Sequence, residues 1–91
     1  MSVFAAALDS VEAHGWRRTF ETRGAFQTNV TLHEAVGLAH RHLGGDLTEA
    51  ELMGRLEALL DGAALVAWHD APERTAADVA ALLRRAEEKY A

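Results

Sequence analysis

The chain has 91 residues, a net charge of −5, 49% apolar residues and no cysteine. That length gives one small domain with a marginal core, and the missing cysteine excludes disulfides and thiolate metal ligands. The acidic balance argues against broad electrostatic binding to nucleic acid, the apolar fraction is too high for disorder, and no apolar run approaches the roughly 18–20 residues of a membrane span.

The first helix is expected over about Ser2 to His14. Phe4, Ala7, Leu8 and Val11 recur at helical spacing, and Gly15 is a natural stop. No basic leader precedes the apolar start, so a cytoplasmic location is expected. Trp16 to Thr28 holds Thr, Phe and Trp with one Gly. It is compatible with a short β-hairpin around Glu21–Gly24.

The second helix starts after Thr31. Thr31-Leu32-His33-Glu34 is a capping box, in which each polar side chain satisfies an orphan backbone N–H of the other end. Leu32, Ala35, Val36, Ala39 and Leu43 form its apolar stripe, and Gly44-Gly45 ends it. The third helix repeats the box at Thr48-Glu49-Ala50-Glu51, with Leu47 and Leu52 placed for a hydrophobic staple. Leu52, Leu56, Leu59 and Leu60 point one way and Asp61-Gly62 is the stop. Gly54 either weakens this helix or admits a close neighbour. Ala64 to Trp68 is a short apolar run in which periodicity does not separate a strand from a helical turn. The last helix begins after Thr75, with Asp78 as a weaker capping partner and a stripe of Val79, Leu82, Leu83, Ala86 and Tyr90. The fold class is therefore mostly α: about four short helices, with room for one small β-hairpin, in a single compact domain over 1–91.

The block Leu65-Val66-Ala67-Trp68-His69-Asp70-Ala71-Pro72-Glu73-Arg74-Thr75, followed by Asp78-Val79 and Leu82-Leu83-Arg84-Arg85-Ala86, resembles a small actinobacterial family of unknown function. That family typically carries Trp-Asn-Asp or Phe-Asn-Asp, a proline turn, Arg-Thr and a C-terminal helix. Here His69 stands where the family has Asn, and Val30–Val36 lacks its Cys-Leu segment. A fainter likeness, in size and in the Gly15-Trp16 turn after a first helix, is to the proteins that form lysinoalanine cross-links in cinnamycin-type peptides.

Three clusters are candidate sites. His69-Asp70 beside Trp68, just before a proline turn, pairs an imidazole with a carboxylate as a general base requires. The structural alternative has Trp68 anchoring the turn and Asp70 forming an Asx-turn before Pro72. The Asn of the resembled family favours that alternative, because Asn is no base. His33, His40 and His42 form the second cluster. His33-Glu34-Ala35-Val36-Gly37 lacks the second His of a zinc-protease motif, and His40 and His42 point about 200° apart on a helix, so no metal is expected. Arg17, Arg18 and Arg23, interleaved with Trp16, Phe20 and Phe26, form the third. Their guanidinium forks suit a carboxylate, a phosphate or an acidic peptide. The plainer alternative is a solvated hairpin whose aromatics plug the core while Glu21 pairs locally.

The expected function is a small binding protein, homodimeric and without a cofactor. It would hold a peptide, a protein or a small anionic ligand through Trp16, Arg17, Arg18, Arg23 and Trp68. The alternative is a small enzyme or conformational template in peptide natural-product maturation, such as lysinoalanine formation, with His69, Asp70 and His33 as the catalytic candidates. A DNA-binding regulator is the weakest reading, since no basic recognition helix is visible.

Overall fold

The computed structural model describes residues 2–21 and 28–90. Helix α1 spans Val3–His14, α2 Leu32–Leu43, α3 Glu49–Glu57, α4 Leu65–Asp70 and α5 Ala76–Tyr90, and a 3-10 turn over Ala58–Leu60 extends α3. Local chemistry sets most of these ends. The Ser2 hydroxyl accepts the Ala5 N–H at 3.0 Å and starts α1. Both capping boxes form reciprocally, at Thr31/Glu34 and Thr48/Glu51. Thr75 and Asp78 do the same at the start of α5, at 3.1 and 3.2 Å. Each box satisfies two of the four N–H groups that a helix start leaves without partners.

Helix α1 lies between α2 and α5 and packs against both. Phe4, Ala7 and Val11 face Leu32, Ala35, Val36 and Ala39 on one side and Val79, Leu82, Leu83 and Ala86 on the other. Leu52, Leu56, Leu59 and Leu65 close the core from α3, the 3-10 turn and α4. Leu43, placed by periodicity in the stripe of α2, is 42% exposed, because the helix ends there and its last turn overhangs the core.

In the undecided run Ala64 to Trp68 the chain is helical from Leu65, with Ala64 as the extended residue before the helix. Helix α4 has no side-chain cap. Its first N–H, on Leu65, is taken instead by the Glu57 carboxylate of α3 at 2.9 Å. His69 and Asp70 therefore sit on the last turn of a helix rather than in a turn before the proline. Of the hairpin suggested over 16–28, residues 22–27 lie outside the described residues. Among the described residues the segment makes one isolated parallel bridge, Trp16 with Val30. It is carried by Arg17 N–H to Val30 O at 3.1 Å and Val30 N–H to Gly15 O at 2.9 Å. Gly15, at φ 85°, occupies the left-handed region that lets α1 stop and the chain turn into this bridge.

Candidate functional site

The two stretches singled out in the sequence, 16–18 and 68–70, meet in space. The contact is centred on His69, which is completely buried. Its Nε2 accepts the Trp16 indole N–H at 2.7 Å and the Leu32 backbone N–H at 3.1 Å. Its Nδ1 lies 2.8 Å from Asp70 Oδ1. Indole and amide nitrogens only donate, so Nε2 carries the lone pair and the ring proton sits on Nδ1, directed at the carboxylate. Leu32 is the first residue of α2, so the imidazole supplies the acceptor that this N–H would otherwise lack inside the protein.

Asp70 reaches across the chain rather than along it. It makes no Asx-turn. Its Oδ1 accepts the Thr19 N–H at 2.9 Å and its Oδ2 accepts the Thr19 hydroxyl. Burial by itself pushes the Asp70 carboxyl up, but the bonds from Thr19 and His69 outweigh it and bring the group down to about 2.

The arginine cluster divides between two tasks. Arg17 Nη2 pairs with Glu34 at 2.7 Å, and Nη1 donates to the carbonyl of Glu21 at 3.1 Å. Arg18 lies 5.1 Å over the Trp16 ring, and its guanidinium donates to the carbonyls of Ala71, Pro72 and Arg74 at 2.8–3.1 Å. Glu21 pairs locally with Arg18, accepting its backbone N–H at 2.7 Å. Arg23 and Phe26 lie outside the described residues. Phe20 does not plug the core: it is 70% exposed. Trp68 is half-buried under the Arg74 guanidinium, 4.1 Å from the ring, and Arg74 also donates to the Trp68 carbonyl at 2.7 Å.

His33 packs edge-on to His69 with ring centroids 6.1 Å apart, and its buried Nδ1 has no hydrogen-bond partner. Burial and the adjacent His69 push the His33 imidazole below its ordinary value, against an opposing pull from Asp70. His40 is separate from this group and bonds the Leu47 carbonyl at 2.6 Å. Among the described residues no group of His, Asp and Glu is arranged to hold a metal ion, and no helix is long and apolar enough to cross a membrane.

The geometry brings together Trp16, Arg17, Arg18, Trp68, His69, Asp70 and His33. It adds Thr19, Glu34 and Arg74. In the sequence Glu34 stands out as a cap and as the neighbour of His33 in an incomplete metal motif, neither of which points to Arg17, and nothing in the sequence links Thr19 to a carboxylate at position 70. The arrangement is a hydrogen-bonded interlock joining the segment after α1 to the ends of α2 and α4. Its one imidazole–carboxylate pair has every ring nitrogen engaged.

No curated protein and no solved structure matches the chain. A family model does match, over residues 2–89, and the protein belongs to that family, DUF6197, a family of unknown function.

Proposed function

We propose that the protein is a small helical binding module that holds a peptide or protein segment where residues 16–21 meet the C-terminal end of α4. The observation that carries this reading is the presentation of Phe20. Thr19, its neighbour, is fixed by both its N–H and its hydroxyl to Asp70, while the Phe20 ring stays 70% exposed. An aromatic ring on an anchored backbone is preorganised for contact, which lowers the ordering cost of binding. Val66, 53% exposed, lies one helical turn before Asp70 and on its side of α4. An apolar residue of a partner is the matching chemistry. Because Arg17 and Arg18 are committed to Glu34 and to backbone carbonyls, a small free anion is the less favoured ligand. Pairing of two copies belongs to the same proposal, with Leu38, half-exposed on α2, as an available apolar contact.

Selection of random peptides against the folded protein tests this reading. Phe20→Ser should abolish capture of the selected peptides and leave the melting temperature unchanged. Peptides that bind the Phe20→Ser variant equally well would refute it.

A second reading, a conformational template for peptide maturation, draws on His33. Of the two contacting histidines, only His33 keeps a ring nitrogen without a partner, and its lowered proton affinity leaves it neutral and able to accept a proton near neutral pH. His33→Gln should then stop cross-link formation in a precursor peptide without unfolding the protein. Unaltered turnover would exclude His33 as the proton acceptor.

A further inference from the structure

The cations of this acidic chain divide into two sets. Arg17, Arg18, Arg41, Arg74 and Arg84 each donate to an oxygen of the protein. Arg55, Arg85 and Lys89 have no hydrogen bond and no ion pair among the described residues. This second set collects at one corner. Arg85 and Lys89, one turn apart on α5, line an open hollow of about 360 Å³ together with Leu59 and Glu88. Arg55, on the last turn of α3, stands 4.8 Å over the Tyr90 ring, and Lys89 Nζ lies 5.7 Å from the same ring.

We propose that this corner is an anion site, in which Arg55, Arg85 and Lys89 together take a phosphate group, free or as a monoester, in the hollow beside Leu59.

The way these cations are held leaves their donors open. A guanidinium over a ring contacts it through its flat face, so the N–H groups of Arg55 in the guanidinium plane still await an acceptor. Arg55 and Lys89 lie in the last turns of α3 and α5, where the helix dipole favours a positive charge. Ring and dipole thus stabilise two cations without occupying their hydrogen-bond donors. Arg85 lies before the last turn of α5, where the dipole no longer accounts for it.

The charges around the hollow do not all act in one direction. Glu88 lines it and opposes an anion. Glu87, half-buried, adjoins Glu88 on α5. Glu51, one turn before Arg55 on α3, is held by its capping box and accepts the Thr48 N–H at 3.1 Å. Three cations against the Glu88 carboxylate make a locally positive surface on a chain of net charge −5. A phosphate suits three separate donor groups because it offers three oxygens around a tetrahedron, whereas a carboxylate is filled by one guanidinium fork. Leu59, 7% exposed, gives the hollow an apolar floor. No residue of the interlock around His69 lines it, so this site does not rest on the binding-module reading.

A titration of the isotope-labelled full chain with inorganic phosphate, followed by NMR at constant ionic strength, tests the site. The Nε–H signals of Arg55 and Arg85 and the amide of Lys89 should shift and saturate. Replacing both cations of α5, by Arg85→Gln with Lys89→Gln, should weaken binding about tenfold or more. Glu88→Gln should strengthen it about twofold. All three side chains are exposed, so the melting temperature should change little. Phenyl phosphate distinguishes the two sources: tighter binding than inorganic phosphate marks a monoester whose organic part rests on Leu59, and equal binding marks the free ion. No saturation by about 20 mM phosphate, equal shifts with sodium chloride, shifts that survive in the double variant, or largest shifts at Arg17 and Arg18 would each overturn the site.

Discussion

The His69 imidazole and the Trp16 indole, 53 positions apart, share a 2.7 Å hydrogen bond that fixes the histidine as an acceptor at Nε2. The Leu32 amide shares that lone pair. A histidine beside an aspartate suggests a catalytic base when read along the chain, but here the base position is already filled by two donors. The ring ties three segments together.

Removing the ring should therefore act on stability first. His69→Ala leaves the Trp16 indole N–H, the Leu32 N–H and one Asp70 bond without a partner at a buried position. Unsatisfied buried groups and the cavity together should cost about 3–5 kcal/mol. Urea denaturation measures this. His69→Gln, which keeps a carbonyl acceptor and an N–H donor, should lose less than half as much.

Arg18 should behave as a structural residue. Its guanidinium donates to three carbonyls and stacks on Trp16. Arg18→Ala should lower stability by about 1–3 kcal/mol. Arg18→Lys should recover little, because an ammonium lacks the planar fork that spans those carbonyls. Thermal melts of the two variants decide it. A charge reversal at positions 17 and 18 would accordingly report on folding as well as on binding.

Gly54 separates two explanations that are equivalent in the sequence. A Cβ built at this position meets nothing within 4 Å, so no neighbour requires the glycine. Gly54→Ala should stabilise the protein by about 0.5–1 kcal/mol through helix propensity alone. Gly37 contrasts with it: a Cβ there would meet Glu49 Oε1 at 3.2 Å, so Gly37→Ala must displace that carboxylate and should gain less. Paired chemical-denaturation curves check both.

The acid limb of stability should have two parts of distinct origin. His33 has a folded-state affinity for protons below its ordinary value of 6.5. The unfolded chain therefore takes up the proton first, and stability falls as pH drops through and below that value. Asp70 is held at about 2 against an ordinary 3.8. Its stabilisation is complete above the higher value and is lost as pH falls from there toward the lower one. Urea midpoints measured against pH should show both declines. His33→Gln should remove its part of the upper one, and Asp70→Asn should remove the lower.

Much of the fold was legible because its helix starts are chemically explicit. Thr31/Glu34, Thr48/Glu51 and Thr75/Asp78 each announce a helix within four residues, and the stripes behind them are core. Helix α4 was not legible. It is six residues long, too short for periodicity to speak, and its cap is Glu57, in another element. The site was half legible. Trp16, Arg17, Arg18, Trp68, His69 and Asp70 stand out by residue type and do come together. Their roles depend on burial and on partners more than 50 positions away, such as Thr19 for Asp70 and the 71–74 carbonyls for Arg18, and no local spacing encodes these. Arg23 lies outside the described residues.

The most direct test of this account is the tautomer of His69, read from long-range nitrogen–proton correlations of the histidine rings near neutral pH. The account predicts a proton on Nδ1 and a bare Nε2 that shows coupling to the Trp16 indole proton across the hydrogen bond. A proton found on Nε2 would contradict it, since that nitrogen could then accept neither Trp16 nor Leu32.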